Sequence, residues 1–136
     1  MDIEGARQYL GDHHRAVLAT RRGDGGVQQS PVAVAVDDAG RAVISSRETA
    51  YKVRNLRREP RAWLCVVDDR WYGEWIQVEG PTTIVSLPEA MEPLVDYYRR
   101  ISGEHPDWED YRQAMEREQR VVIRIDIDRA GPNLSG

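Results

Sequence analysis

Two closely spaced turn signals separate three segments of alternating apolar and polar residues, and this pattern constrains the fold more than any other feature. RRGDGG lies between segments 15–20 and 27–36, and DDAG lies between 27–36 and 41–46. Alternation with a period of two predicts β-strands, and short links rich in Asp and Gly predict hairpins. The first third of the chain is therefore predicted to form a three-stranded antiparallel meander, preceded by a short helix over residues 2–10.

Pro31 interrupts the second of these strands. Because proline has no N–H to donate to a ladder, it is found on edge strands and at bulges. The strand at 27–36 is therefore expected at an edge of the sheet, where a ligand can approach its backbone.

The remainder of the sequence predicts three more strands and three more helices. We expect strands at 61–67, 74–85 and 120–127, the first of them buried on both faces, and helices at 49–58 and 108–119. A further helix is expected from a capping box at 86–89 to about residue 101, with a kink at Pro93. Gly80 and Pro81 predict a bend in the long strand. Six strands joined mostly by hairpins predict a small antiparallel barrel in a single domain, 1–136.

Composition narrows the possible partners. With 136 residues, 40% of them hydrophobic and 31% charged, the chain fits one globular domain. A net charge of −4 argues against broad nucleic-acid binding, and no apolar run reaches the roughly 20 residues of a membrane span. A single Cys65 and an N-terminus without a signal-peptide pattern favour the cytoplasm. Since a small packed barrel has little free interior, a ligand is expected on its outside or at a subunit interface, and a dimer is favoured.

No motif of self-sufficient catalysis occurs in the sequence, which contains no GxSxG, P-loop, GxGxxG or HExxH. His13 and His14 are adjacent, so their side chains point apart, and no third ligand accompanies them. They are interpreted as a surface pair, and no metal site is expected. Cys65 is interpreted as a small core residue. Any enzymatic activity is therefore expected to depend on a cofactor.

The segment SSRETAYKVRNLRREP, residues 45–60, contains the only lysine of the chain, Lys52. Two interpretations are open. In one, Glu48 and Lys52 form an i,i+4 surface pair worth about 0.3–0.5 kcal/mol, and Ser46 caps the helix. In the other, the strand-to-helix turn binds an anion, because amides at a helix start and a compact ammonium both favour phosphate. The groups of that anion site are Ser45, Ser46, Arg47, Thr49 and Lys52.

A second segment, WYGEW at 71–75, also has two interpretations. Trp63, Trp75 and Ile76 could fill a core that has no Phe. Alternatively, Trp71, Tyr72 and Trp75 cluster at a strand entry, as aromatic residues do at interfaces and beside flat ring ligands. We favour the core for Trp63 and a site for Trp75.

Taken in order, these segments resemble the flavin/deazaflavin split-barrel family related to pyridoxamine 5′-phosphate oxidase. The resemblance is carried by AVLATRRGDGGVQQSPVAVAV, AVISSRETAYKVRNLRREPRAWLCVV, WIQVEGPTTIV and the region from DYYRR to RVVIRIDIDR. Its most specific part is SSRETAYKVRNLRREP, where the family has a Ser/Thr-rich turn, a Lys, an Asn-Leu and a Pro. The run ending in RVVIRIDIDR resembles actinobacterial members that use coenzyme F420.

The resemblance implies a mainly β fold, a six-stranded antiparallel split β-barrel with flanking helices, in a homodimer with the cofactor at the subunit interface. It implies that the cofactor phosphate is held by Ser45, Ser46, Arg47 and Lys52, with Thr49 and Asn55 supporting the turn. Along the deazaflavin ring it places Gln29, Ser30, Pro31 and Val32. Bordering the ring or the substrate pocket it places Trp75, Trp71 and Tyr72.

The activity implied is that of an F420-dependent reductase, in which reduced F420 gives a hydride from C5 to a conjugated double bond of a small or planar substrate. The alternatives are an FMN-dependent oxidoreductase of the pyridoxamine-phosphate-oxidase type and a non-catalytic flavin-, deazaflavin- or haem-binding protein. The sequence lacks the longer C-terminal segment that closes the FMN and pyridoxal sites of the oxidases, so we expect the reductase reaction. No general acid is evident, and the proton is expected from water or Tyr72. Arg54, Arg57 and Arg58 could contact the oligoglutamate tail of F420 or form a solvated helix face.

Overall fold

The computed structural model describes residues 2–131. In chain order its elements are α1 (Ile3–Asp12), β1 (Arg15–Arg21), β2 (Val27–Ala33), β3 (Ala35–Val36), β4 (Ala42–Arg47), α2 (Tyr51–Arg58), β5 (Arg61–Val67), β6 (Trp75–Val85), α3 (Met91–Ser102), α4 (Trp108–Arg117), β7 (Arg120–Ile125) and β8 (Arg129–Ala130). None of these helices is both long enough and apolar enough to cross a membrane.

The strands form one antiparallel sheet in the order β2-β1-β5-β6-β7-β4-β3, with β8 paired to β6. Its two ends, β2 and β3, are separated along the chain only by Val34, so the sheet curls back on itself. The predicted split barrel is confirmed, but the count of six strands is wrong. The strand predicted at 27–36 divides because both backbone groups of Val34 bond to His14, at 2.9 and 2.8 Å, and join neither ladder. The two-residue β8 was not predicted.

Both predicted hairpins are present, β1 with β2 and β3 with β4. Within residues 2–131, β2 pairs only with β1, which confirms the edge position expected from Pro31. The barrel interior is filled by aliphatic side chains that alternate along the strands, and α1 and α2 add further apolar residues to it. Among them are Leu10, Leu18, Ile44, Val53, Leu56, Leu64 and Ile123.

The expectation that strand 61–67 is buried on both faces is wrong. Ala62, Leu64 and Val66 are buried, whereas the residues between them remain partly exposed. The reason is that the helices of the described chain do not cover the outer face of β1, β2, β5 and the first half of β6.

β6 runs without interruption, but it changes partner where Gly80 and Pro81 predicted a bend. Residues 75–81 pair with β5, and residues 82–85 pair with β7. At Gly80 a Cβ atom would overlap the carbonyl oxygen of Asp126, so the corner depends on close backbone approach.

A second cluster lies on the outer side of β3, β4 and β7, where α3 and α4 pack. It includes Ala35, Val43, Leu94, Val95, Tyr111, Met115 and Val122. The predicted capping box at 86–89 is wrong, since α3 begins at Met91 with Ala90 as its N-cap and no side-chain cap. Pro93 therefore falls in the first turn, where its missing N–H removes no helical hydrogen bond, and no kink is required.

Candidate functional site

A seam separates β2 from β4 on one side of the barrel. β3 pairs with β4 at Ala35 and Val43, and two more residues of the same register would place Ala33 opposite Ser45. That pair is not formed, and β2 and β4 come near each other without sharing a ladder. The seam therefore runs between residues 29–32, called here the ring segment, and residues 45–52, called here the phosphate segment.

The two serines of the phosphate segment point to opposite sides of β4. Ser45 and Arg47 face outward, because their partners on β7 are Val122 of the outer cluster and Arg120. Ser46 points into the barrel and is only 4% exposed. Its hydroxyl makes a long contact of 3.5 Å to the Arg47 carbonyl. Of the two serines predicted to bind the phosphate, only Ser45 lies on the same face of β4 as Arg47.

Lys52 lies in the first turn of α2, half-buried, and no carboxylate of the described residues forms an ion pair with it. Burial and, secondarily, the neighbouring Arg120 lower the pKa of Lys52. Arg47 and Arg120 share one carboxylate, Glu118, at 3.4 and 2.8 Å. Two arginines therefore share one carboxylate while the neighbouring Lys52 pairs with none in the described residues, and this excess of positive charge favours an anionic ligand.

The surface-pair interpretation of Lys52 is wrong. Glu48 precedes α2 and accepts two hydrogen bonds from Arg57, at 2.6 and 2.8 Å. The idea that Ser46 caps the helix is also wrong, since Ser46 belongs to β4 and the N-cap is Ala50, which provides no side-chain acceptor. Because the amides at a helix start need acceptors, this uncapped turn favours an anion.

Asn55 and Thr49 have separate environments. Asn55 is 7% exposed and donates to the Thr20 hydroxyl at 3.1 Å, while its oxygen accepts from Arg58 at 3.1 Å. It therefore ties α2 to β1 and does not bond to the turn, contrary to its expected supporting role. Thr49 is exposed within the turn. Arg58 also donates to a β1 carbonyl at 3.0 Å, whereas the guanidinium of Arg54 stacks on Tyr51.

The ring segment likewise alternates between two faces. Ser30 and Val32 are paired with the core residues Leu18 and Ala16 and point inward, and the Ser30 hydroxyl is buried without a partner in the described chain. Gln29 and Pro31 are exposed on the outer face. A ligand on the outer face would thus meet their side chains and the edge of the β2 backbone.

Two adjoining cavities lie on the uncovered outer face, and Val67 and Trp71 line both. The first, of about 380 Å³, is lined by Arg15 and otherwise by apolar residues that include Val17, Pro31 and Val32. The second, of about 330 Å³, is lined by Cys65, Val67, Trp71, Tyr72, Gly73 and Trp75. The structure thus brings the predicted ring residues Pro31 and Val32 next to the predicted aromatic residues. Lys52 lines neither cavity, so within one chain the ring segment and the phosphate segment do not share a cavity.

The loop that carries Trp71 and Tyr72 is held by its own polar groups. The Asp68 carboxylate accepts from the amide and guanidinium of Arg70, at 2.7 and 3.1 Å, and the Asp68 carbonyl accepts from the Trp71 amide. Trp71 has a φ of 69°, an uncommon conformation for a bulky residue. It is 72% exposed and Tyr72 is 79% exposed, so both aromatic rings project from the fold.

The core interpretation of the tryptophans is wrong. Trp63 and Trp75 lie on the outer face, in the rows of β5 and β6 that alternate with buried residues. The Arg21 guanidinium lies 5.5 Å from the centre of the Trp63 ring. Aliphatic residues fill the barrel, so the absence of Phe does not require aromatic residues in its interior.

Sequence reasoning missed Arg120, which lies beside Lys52. The alternation in RVVIRI predicts a strand but contains no signal for its partner, and only the β4–β7 register places Arg120 opposite Arg47. Within residues 2–131 no group of three or more His, Cys, Asp or Glu side chains is arranged to hold a metal ion.

The antiparallel split barrel, with a cationic turn beside an edge strand, is the architecture of a flavin-binding class of proteins. Residues 3–132 match the family described as pyridoxamine 5′-phosphate oxidase, and the chain belongs to this family.

Solved structures with the same fold extend the comparison. A conserved hypothetical protein of Mycobacterium tuberculosis is 26% identical, with a TM-score of 0.77 over 96% of this chain and 82% of that one. A protein described as an F420 reductase is 21% identical, with a TM-score of 0.71 over 92% and 94% of the two chains. A haem-binding protein of Mycobacterium smegmatis is 17% identical, with a TM-score of 0.67 over 98% of this chain and 54% of that one. At such identities the likeness of the last two to this protein shows the fold alone.

Proposed function

We propose that this protein is an F420-dependent oxidoreductase that acts as a homodimer on a small or planar conjugated substrate. The observation that carries the proposal is Lys52, a half-buried ammonium beside Arg120 without a carboxylate partner in residues 2–131. A bound phosphate would compensate this charge and restore the pKa that burial has lowered. The likeness in fold to a protein described as an F420 reductase supports this choice of cofactor.

The groups proposed to hold the phosphate are Lys52, Arg47, Arg120, the Ser45 hydroxyl and the uncapped amides at the start of α2. A compact ammonium suits this position because it offers three donors without the fixed fork of a guanidinium. Thr49 lies in the same turn and could donate to the ligand. Ser46 and Asn55 would act indirectly, by fixing β4 and α2 in the core.

The deazaflavin ring is proposed to lie against the free edge of β2, where Pro31 excludes water, Gln29 offers a polar side chain and the inward-facing Val32 supports the strand. When bound, F420 supplies hydride chemistry at its C5 carbon. Trp71, Tyr72 and Trp75 would border the substrate and hold it flat by stacking. The contribution of the chain is therefore positioning and electrostatics.

A second copy of the chain is proposed to complete the site. The outer face of β1, β2 and β5 is apolar at Val17, Pro31 and Val67, and no helix of the described chain covers it. A face of this kind commonly forms an interface. A dimer through it would bring the aromatic loop of one copy near the cofactor of the other. In solution we expect a species of twice the chain mass, and a monomer would contradict this arrangement.

The cofactor assignment is tested by titrating the protein with F420 and with FMN and following fluorescence quenching. We expect tighter binding of F420, and at least a tenfold loss of affinity in Lys52→Ala, since a charge-assisted contact is worth roughly 1.5–3 kcal/mol. Arg99→Ala is the matched control, because it removes an exposed cation of α3 that pairs with Glu104 and has no proposed contact with the cofactor. Equal binding by wild type and Lys52→Ala would refute the phosphate site, and binding of FMN alone would refute the choice of F420. Turnover is tested by following reoxidation of reduced F420 with planar conjugated acceptors.

A further inference from the structure

Tyr97 of α3 reaches across the outer cluster to the seam between β2 and β4. Its hydroxyl donates to the carbonyl oxygen of Ala33, the last residue of β2, at 2.8 Å. Burial raises the pKa of Tyr97, and the backbone N–H of Ser45, on β4, lies close enough to the same hydroxyl to oppose that rise. Ala33 adjoins the ring segment and Ser45 begins the phosphate segment, so one hydroxyl contacts both sides of the seam.

The position of this hydroxyl coincides with the first missing rung of the barrel. In the register of the β3–β4 ladder, Ala33 would lie opposite Ser45 and exchange a backbone hydrogen bond with it. The Tyr97 hydroxyl instead lies between the two groups, donating to the Ala33 carbonyl and lying near the Ser45 N–H. Two residues further along, Pro31 would be opposite Arg47 and has no N–H to restore the ladder.

Hydrogen bonds from the next turn of α3 hold the helix where the Tyr97 hydroxyl lies between Ala33 and Ser45. One turn after Tyr97, Arg100 donates to the Val36 carbonyl at 2.8 Å and to Asp38 and Asp96, each at 2.7 Å. Tyr97 and Arg100 thus bond to the chain on both sides of Val34. Tyr97 itself packs against the outer apolar cluster, so its ring is supported on the side away from the seam.

We propose that Tyr97 is a positioning residue that opens the seam and sets the spacing between the ring segment and the phosphate segment. This inference rests on the proposed function. A cofactor with both a ring and a phosphate gains affinity only when both subsites are at the right separation. Removing the Tyr97 hydroxyl should therefore reduce the affinity that the phosphate adds, and it should leave the affinity for the ring alone nearly unchanged.

The test compares F420 with its phosphate-free analogue, in which the ribityl chain of the deazaflavin ends in a hydroxyl. The measured quantity is the dissociation constant of the phosphate-free analogue divided by that of F420. In Tyr97→Phe, which keeps the ring in the cluster, we expect this ratio to fall about fivefold, the usual worth of one hydrogen bond. We also expect faster hydrogen exchange at the Ser45 amide in the cofactor-free protein. Combined with Lys52→Ala, the loss should be less than additive, because both changes act on the phosphate contact.

Tyr111→Phe is the matched control. The Tyr111 hydroxyl also donates to a carbonyl at 2.8 Å, that of Leu94, but within the outer cluster and away from the seam. An unchanged ratio in Tyr97→Phe, or an equal fall in both variants, would overturn the inference and leave the proposed function standing. Absence of F420 binding by the wild type would overturn both.

Discussion

Replacement of Gly80 by alanine tests the account of the barrel corner. A Cβ at this position would overlap the carbonyl oxygen of Asp126 and lie 2.8 Å from its carbonyl carbon and 3.2 Å from the Asp128 amide nitrogen. All three are backbone atoms, which cannot rotate away as a side chain would. The strand must therefore shift against its neighbour or the corner must open.

The expected cost follows from this geometry. Overpacking inside a folded domain costs typically 1–3 kcal/mol, and an overlap with fixed backbone belongs at the upper end, about 3 kcal/mol. Gly11→Ala is the matched control, because nothing lies within 4 Å of its added Cβ and the residue is inside α1. There alanine should raise the free energy of unfolding by about 0.5–1 kcal/mol, through the better helix propensity.

Urea unfolding at one fixed protein concentration measures both changes. With a slope of about 1.5 kcal/mol/M, Gly80→Ala should lower the midpoint by about 2 M urea. Gly11→Ala should raise it by about 0.3–0.7 M. A midpoint for Gly80→Ala within a few tenths of a molar of the wild type would refute the idea that close backbone approach determines the bend.

Two further predictions concern single positions. Gln119 follows the C-cap of α4 and has a φ of 53°. Because glycine adopts this conformation without strain, Gln119→Gly should raise the free energy of unfolding by about 0.5–1 kcal/mol in the same urea assay. A lower free energy of unfolding would show that the Gln119 side chain contributes more than the backbone strain costs. Because the pKa of Lys52 lies below its ordinary 10.5, its charge is lost as pH rises through that lowered value, and F420 binding should weaken there relative to Lys52→Arg, which stays charged. In the same interval the Lys52 amine binds more protons in the unfolded chain than in the folded one, so the stability of the cofactor-free protein should rise with pH relative to that of Lys52→Arg. A constant ratio of dissociation constants between wild type and Lys52→Arg would contradict the phosphate assignment.

Features set by neighbouring residues were predictable from the sequence. The two hairpins follow from DGG and DDAG, and strand 61–67 has the predicted bounds. Helix starts were less predictable. The sequence SLPE has the form of a capping box, yet the chain makes turns there before α3, and α2 starts two residues later than expected because residues 48–50 form the turn. In both cases tertiary packing selects among several local conformations.

The candidate site was predictable only in part, because it depends on pairing between distant segments. Lys52 stood out by composition, but its neighbour Arg120 is placed by the β4–β7 register. The inward orientation of Ser30 and Ser46 depends on which face of each strand is buried, and a run of small and polar residues does not fix that choice. The sequence did not single out Tyr97 either, because its role depends on a backbone pair between β2 and β4 that the barrel does not form.

Lys52 gives the protein a single side-chain amine. Amine-directed reagents can react only there and at the N-terminal amine, and a lowered pKa increases the fraction of the uncharged, nucleophilic form at mild pH. Acylation or reductive methylation, read by peptide mass spectrometry, would therefore modify one defined position within the fold. Protection of that position by a candidate ligand would report occupancy directly, including for ligands that have no colour or fluorescence.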